Sequence, residues 1–154
     1  NTILDRHSVE DETKSSVLSI VRSMGYNKYI EGIRPGTLEG MIVSDADMCD
    51  AIGSIGILRT HAYALSKGNV FFDKDLQPEN ESINAAEYKT SKNSHSVQHF
   101  FDKLLRIPAI LMTDSGRSEG EKRKMIMVSF LRELFQEEGS QEWKKYLEAF
   151  EQKS

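Results

Sequence analysis

The sequence is poor in cysteine: Cys49 stands alone among 154 residues. One thiol excludes an internal disulfide framework and a clustered thiolate zinc site, so a reducing cytoplasm is the simplest setting and Cys49 reads as a small core residue. Positive charge is not in excess either, since 20 Lys and Arg against 24 Asp and Glu leave a net charge of −4. That balance carries no electrostatic footprint for nucleic acid or for an anionic membrane surface, and an anionic substrate would have to be held locally. No apolar run approaches the roughly 18 residues of a membrane span, and the amino terminus lacks the charged-then-apolar layout of a signal peptide. The expectation is a soluble chain with no nucleic-acid partner and no membrane partner. Internal repeats, low-complexity tracts and period-two alternation are also missing, which argues against strands. An initiator methionine is missing as well: Asn1-Thr2-Ile3-Leu4 reads like the middle of a protein. Upstream sequence is therefore expected, and a site shared with it would look incomplete here.

What is present is helical periodicity. A hydrophobic content of 38% suffices for one core, so residues 1–154 are expected to form a single helical domain. From Ser8 to Met24 the residues Val17, Ile20, Val21 and Met24 recur at helical spacing, with Gly25 behind them as a C-cap. A short amphipathic stretch from Asn27 to Ile33 runs into the breaker Arg34-Pro35-Gly36. Thr37 caps the next helix, expected to be the longest element, from Leu38 to Lys67 with Gly68 as its stop. Its stripe is Met48, Ala51, Ile52, Ile55, Leu58, Ala62 and Leu65. Gly53 and Gly56 inside it cost about 1 kcal/mol each relative to alanine, which suggests close packing by a neighbouring helix. Residues 69–93 lose periodicity and read as a long mobile loop. Ser94 or Ser96 then starts a helix that Pro108 kinks or ends, and further helices run from Ser118 to Glu137 and from Gln141 to Phe150. The apolar face of Trp143 and Phe150 could pack on the core or on a second copy, which leaves a homodimer open.

Chemistry concentrates in Val43-Ser44-Asp45-Ala46-Asp47-Met48-Cys49-Asp50, three carboxylates in an apolar helix. Helical steps put Asp47, Asp50 and Ser54 on one side and turn Asp45 elsewhere. On one straight helix His61 would lie about 21 Å from Asp47, too far for a shared metal. A carboxylate inside a bundle needs an ion pair, hydrogen bonds or a cation. Spacing alone leaves open a salt bridge to Arg59, exposure to water or a divalent metal. Arg59 falls on the Met48, Ile52 and Ile55 face, so it is expected to enter the interior and pair with an aspartate or bind a phosphate. His99 and Lys103, four residues apart, could reach a substrate phosphate or belong to the surface. The methionines read as core fillers.

The stretch Thr37-Leu38-Glu39-Gly40-Met41-Ile42-Val43-Ser44-Asp45-Ala46-Asp47, continuing as Asp50-Ala51-Ile52-Gly53-Ser54-Ile55-Gly56-Ile57-Leu58-Arg59-Thr60, resembles a signature block of the HD-domain metal-dependent phosphohydrolases. A looser likeness runs through His99-Phe100-Phe101-Asp102-Lys103-Leu104-Leu105 and Leu111-Met112-Thr113, so that roughly residues 8 to 135 are similar to the family. The resemblance implies an all-α, compact multi-helix bundle. It also implies a divalent metal ion, held by a histidine, an adjacent His-Asp pair and a later aspartate, that activates water against a phosphoester or phosphoanhydride. The later aspartate corresponds to Asp47. Carboxylate and imidazole ligands suit that chemistry, and magnesium, manganese, iron, nickel and zinc all remain compatible.

The sequence departs from the family pattern in having no adjacent His-Asp pair; its histidines are His7, His61, His95 and His99. The expectation is that the other ligands precede Asn1. His7 resembles a histidine that some members carry just after the pair, where it could bind a second metal or a phosphate; alternatively it is an exposed terminal residue. The reading is a phosphohydrolase of a small phosphorylated molecule, a nucleotide among the candidates. Asp47 would be the catalytic metal ligand, Arg59, His99 and Lys103 would contact substrate, and Asp50 and Ser54 would support Asp47. The alternative is a degenerate helical domain that binds a ligand or partner without catalysis.

Overall fold

The computed structural model describes residues 2–78 and 95–153, and every regular element among them is helical. In chain order these are α1 (Thr2–Arg6), α2 (Asp11–Ser23), α3 (Tyr26–Ile30), α4 (Leu38–Asp50) and α5 (Gly53–Ser66). They are followed by α6 (Ser96–Asp102), a 3-10 helix η1 (Leu104–Ile110), α7 (Asp114–Glu137) and α8 (Gln141–Lys153). The all-α expectation is met.

The longest described element is α7, with 24 residues, and not the stretch from Leu38 to Lys67. That stretch is two helices. Ile52 is extended and fully buried, and Gly53 takes φ +79°, a left-handed value that an L side chain tolerates poorly. Arg123 of α7 locks the break: its Nη1 donates to the Cys49 carbonyl at 2.8 Å, satisfying the C-terminal end of α4. The stem of Arg123 lies 3.1 Å from where a Gly53 Cβ would stand. The expected close packing at Gly53 is real, therefore, but it forms at a corner between helices. Changing Gly53 to alanine is expected to cost about 1–2 kcal/mol from the left-handed conformation alone, read as a lower urea midpoint with an unchanged slope. An unaltered midpoint would show that the corner relaxes freely.

With the helix broken, the expected stripe divides. Met48 and Ile52 are buried, whereas Ile55, Leu58 and Leu65 are exposed. The helix expected from Ser8 begins at Asp11 and buries none of its residues; Val17 and Val21 are exposed because the main partner of α2 is α4 alone. The helix expected from Ser118 begins four residues earlier. Thr113 caps it by accepting from the Gly116 N–H at 3.0 Å, in a polar stretch with no periodicity to announce it.

The core gathers Met48, Ile52, Phe100, Phe101, Leu105, Met127, Leu131, Phe135 and Trp143 around α7. Trp143 and Phe150 are core residues, not a free face for a second copy. The expected mobile loop 69–93 lies partly outside the described residues. Its described part is anchored: Phe71 and Phe72 pack on the core, and the Leu76 carbonyl accepts from Trp143 Nε1 at 2.8 Å. No described helix is long and apolar enough to cross a membrane.

Candidate active site

The three carboxylates of the central segment have separate fates. Asp45 is the buried one, only 2% exposed, although helical spacing had seemed to turn it away from the important face. Its oxygens accept from the Met112 N–H (3.0 Å), the Thr113 N–H (2.7 Å) and Thr113 Oγ1 (2.7 Å). An anion set against the first turn of α7 is stabilised by free N–H groups and by the helix dipole. Gly116 leaves the room, since a Cβ there would fall 2.4 Å from Asp45 Oδ2. The buried carboxylate is thus satisfied by hydrogen bonds and holds α4 to α7.

Asp47 and Asp50 lie on the opposite, exposed flank of α4, one turn apart. The expected burial of this pair inside an apolar helix does not occur. Asp50 Oδ2 accepts from Arg59 Nη1 at 2.7 Å, and the same nitrogen donates to the Asp50 carbonyl at 3.2 Å. Arg59 therefore pairs with an aspartate as expected but stays exposed and does not enter the interior, because the corner at Gly53 turns α5 away from the line of α4. Ser54 is also exposed, in the first turn of α5, so the helical step linking it to Asp47 is broken. The straight helix assumed in separating His61 from Asp47 is broken at the same corner. His61 is exposed and lies edge-on to Phe71, with ring centroids 5.3 Å apart.

Asp47 is not an isolated surface residue. Its Oδ2 lies 3.5 Å from where a Cβ on Gly25 would stand, and the Gly25 N–H donates to the buried Ser44 Oγ at 3.5 Å, tying the start of α3 to α4. None of the described ion pairs includes Asp47. Its electrostatic neighbour is Lys103, at the C-terminal end of α6. Burial lowers the Lys103 pKa; the negative charge of Asp47 opposes that shift and the positive charge of Arg59 adds to it. Asp47, Arg59 and Lys103 therefore share one local field, although they come from α4, α5 and the end of α6. The Lys103 Nζ rests 5.0 Å from the centroid of the Tyr26 ring. Tyr26 and Gly25 belong to this cluster; the sequence marks Gly25 only as a helix end and gives no signal for Tyr26.

One turn before Lys103, His99 is half-buried. Burial, and secondly the Lys103 charge, hold its pKa down to about 4, so it is neutral at pH 7. Since the folded value lies below the ordinary 6.5, the unfolded chain takes up a proton between those values that folded His99 refuses. The stability contributed by His99 is therefore complete above pH 6.5 and is lost as pH falls toward 4. The His99 ring-proton resonance is expected to titrate with a midpoint near 4; a midpoint at the ordinary 6.5 would show an open environment.

His7 lies exposed just past α1, before Ser8, whose φ is +49°; no described contact joins it to Asp47. Among the described residues no group of three or more His, Cys, Asp and Glu is arranged to hold a metal ion. Asp47 offers one donor beside a cation, and the described residues do not by themselves fit a divalent metal.

The helical arrangement defines the class: the fold is that of the HD superfamily. An HD-superfamily hydrolase from Bacillus thuringiensis superposes with a TM-score of 0.66 at 30% identity, covering 91% of this chain and 61% of its own. YpgQ from Bacillus subtilis, solved in complex with ADP, superposes with a TM-score of 0.65 at 26% identity over 88% of this chain and 60% of its own. A Lactobacillus plantarum structure matches with a TM-score of 0.71 at 28% identity, over 87% of this chain and 62% of that one. In sequence, YpgQ, described as an uncharacterized protein, is 32% identical over 127 residues, which are 82% of this chain and 53% of YpgQ. The chain thus spans about half the length of that relative. No family model matches the chain.

Proposed function

We propose that this chain carries part of the catalytic centre of a metal-dependent phosphohydrolase acting on a small phosphorylated substrate of the nucleotide class. The observation that carries the reading is the placement of Asp47: an exposed carboxylate outside every described ion pair, within electrostatic reach of a half-buried lysine, in the HD-superfamily fold. In this reading Asp47 is one ligand of a divalent cation, with magnesium, manganese, iron, nickel and zinc all compatible, and the other ligands lie outside the described residues. His7 stays a candidate second-metal ligand on resemblance alone.

The work of this chain's own residues is to receive the anion. Lys103 supplies a cation whose desolvation strengthens its pull on a phosphate oxygen. Arg59 is a second donor, available on exchanging its exposed partner Asp50, and such exposed pairs hold weakly. Neutral His99 can offer or accept a hydrogen bond but adds no charge. Asp50 holds Arg59 at the α4–α5 corner. The solved complex of YpgQ with ADP supports a nucleotide as the phosphorylated partner.

The test is phosphate release from nucleoside di- and triphosphates across a panel of divalent ions, by the protein together with the segment that supplies the other metal ligands, alongside calorimetric ADP binding. Lys103→Met is expected to weaken ADP binding by about 10-fold or more through loss of a charge-assisted hydrogen bond. The absence of three clustered metal donors among the described residues supports a second reading, a domain that binds nucleotide without turning it over. ADP binding with no release under any metal decides for that reading; absence of ADP binding rejects both.

A further inference from the structure

We propose that Tyr26 is a positioning residue for the anion-binding site, holding the Lys103 ammonium in place with the face of its ring; this rests on the reading of Lys103 as a phosphate ligand. A lysine ammonium rides on four rotatable bonds and directs its charge poorly unless something fixes it. Here the Nζ lies 5.0 Å from the Tyr26 ring centroid, within the range where the negative ring face attracts a cation. The ring is itself anchored. Tyr26 Oη donates to the Asp102 carbonyl at 3.2 Å, and Asp102 is the last residue of α6, where helix carbonyls lack intrahelical partners. The Asp102 side chain is held in turn by Gln98 Nε2 at 2.8 Å, and both residues are buried. One side chain from α3 thus grips the backbone of residue 102 and the side chain of residue 103.

The other flank of the same short helix meets Asp47. Gly25, immediately before Tyr26, stands beside Asp47 Oδ2, and its N–H is bonded to Ser44. The Gly25-Tyr26 dipeptide therefore sets the spacing between the acidic wall on α4 and the lysine after α6. Tyr29 stacks on Tyr26 with centroids 6.2 Å apart, and Arg34 covers the Tyr29 ring at 3.5 Å, which restrains α3 from behind. The ring selects an orientation for the lysine; it does not touch the phosphate, so Tyr26 acts through Lys103.

The experiment compares Tyr26→Phe, Tyr26→Leu, Lys103→Met and the Tyr26→Leu/Lys103→Met double variant. Two measurements are made on the full chain without metal: the 13C-lysine NMR shift of the Lys103 ε-methylene, and ADP affinity by calorimetry. Tyr26→Phe keeps the ring but loses its bond to the Asp102 carbonyl, and is expected to retain the ring-current shift and to weaken the affinity by no more than about 2-fold. Tyr26→Leu is expected to lose the shift and to weaken ADP by about 5-fold. The double variant should bind no more weakly than Lys103→Met alone, because the tyrosine has nothing left to position. Thermal melting is recorded for each, and Tyr26→Met replaces Tyr26→Leu should the latter melt early. Additive losses in the double variant overturn the proposal, as does unchanged affinity in Tyr26→Leu where Lys103→Met weakens binding. A ring-current shift missing from the unaltered protein also overturns it and leaves the phosphate role of Lys103 standing. If instead the shift is present and Lys103→Met binds ADP normally, the phosphate reading itself fails and takes the positioning role with it.

Discussion

In the protein that also carries the remaining metal ligands, Asp47→Ala is expected to lower divalent-metal-dependent phosphate release by about 1,000-fold or more, since a metal that stabilises transition-state charge contributes several kcal/mol. The same change should leave the urea midpoint and the circular dichroism nearly unaltered, because Asp47 is exposed and none of the described ion pairs includes it. Calorimetric titration with manganese gives an independent reading: the variant should bind the ion more weakly than the unaltered chain. Full activity in Asp47→Ala would remove this residue from the mechanism. Loss of activity accompanied by unfolding would show instead that the carboxylate is structural.

Asp45→Ala, two residues away, is expected to do the reverse. It leaves the Met112 N–H, the Thr113 N–H and the Thr113 hydroxyl without their acceptor in a closed part of the molecule. Leaving a buried donor without its acceptor costs about 1–3 kcal/mol, a sizeable part of the stability of a chain this size. Chemical denaturation should therefore show a much lower midpoint, and α7 should lose protection at its first turn in hydrogen exchange. Asp45→Asn, which keeps one acceptor oxygen, should fall between the two. Near-native stability in Asp45→Ala would mean that water replaces the carboxylate and that the α4–α7 joint does not depend on it.

These two aspartates show where sequence reading succeeds and where it stops. The helical class and the Thr37 cap follow from periodicity and local capping. Such features depend on residues within a few positions of one another, and one sequence displays them directly. The corner at Gly53 was not legible as a corner. A glycine in an apolar run reads equally as a helix interior and as a break, and the choice was made by Arg123, 74 residues away from the Cys49 carbonyl it binds. The error at that corner carried forward to Arg59, Ser54 and His61, whose expected places all assumed one straight helix.

The sequence by itself determined that this protein is helical and that Asp47 and Asp50 share a flank one turn apart. It could do so because i to i+3 geometry is a property of the helix alone. Only the tertiary structure decided which carboxylate is buried, because burial depends on what packs opposite. The first turn of α7 closes over Asp45, and nothing comparable closes over Asp47 among the described residues. The contact of Lys103 with Tyr26, within electrostatic reach of Asp47 and Arg59, was likewise a tertiary decision. It joins α3, α4, α5 and the end of α6 across a gap of up to 77 positions (from 26 to 103), and long-range electrostatic and ring contacts of that kind leave no periodic trace in a single chain.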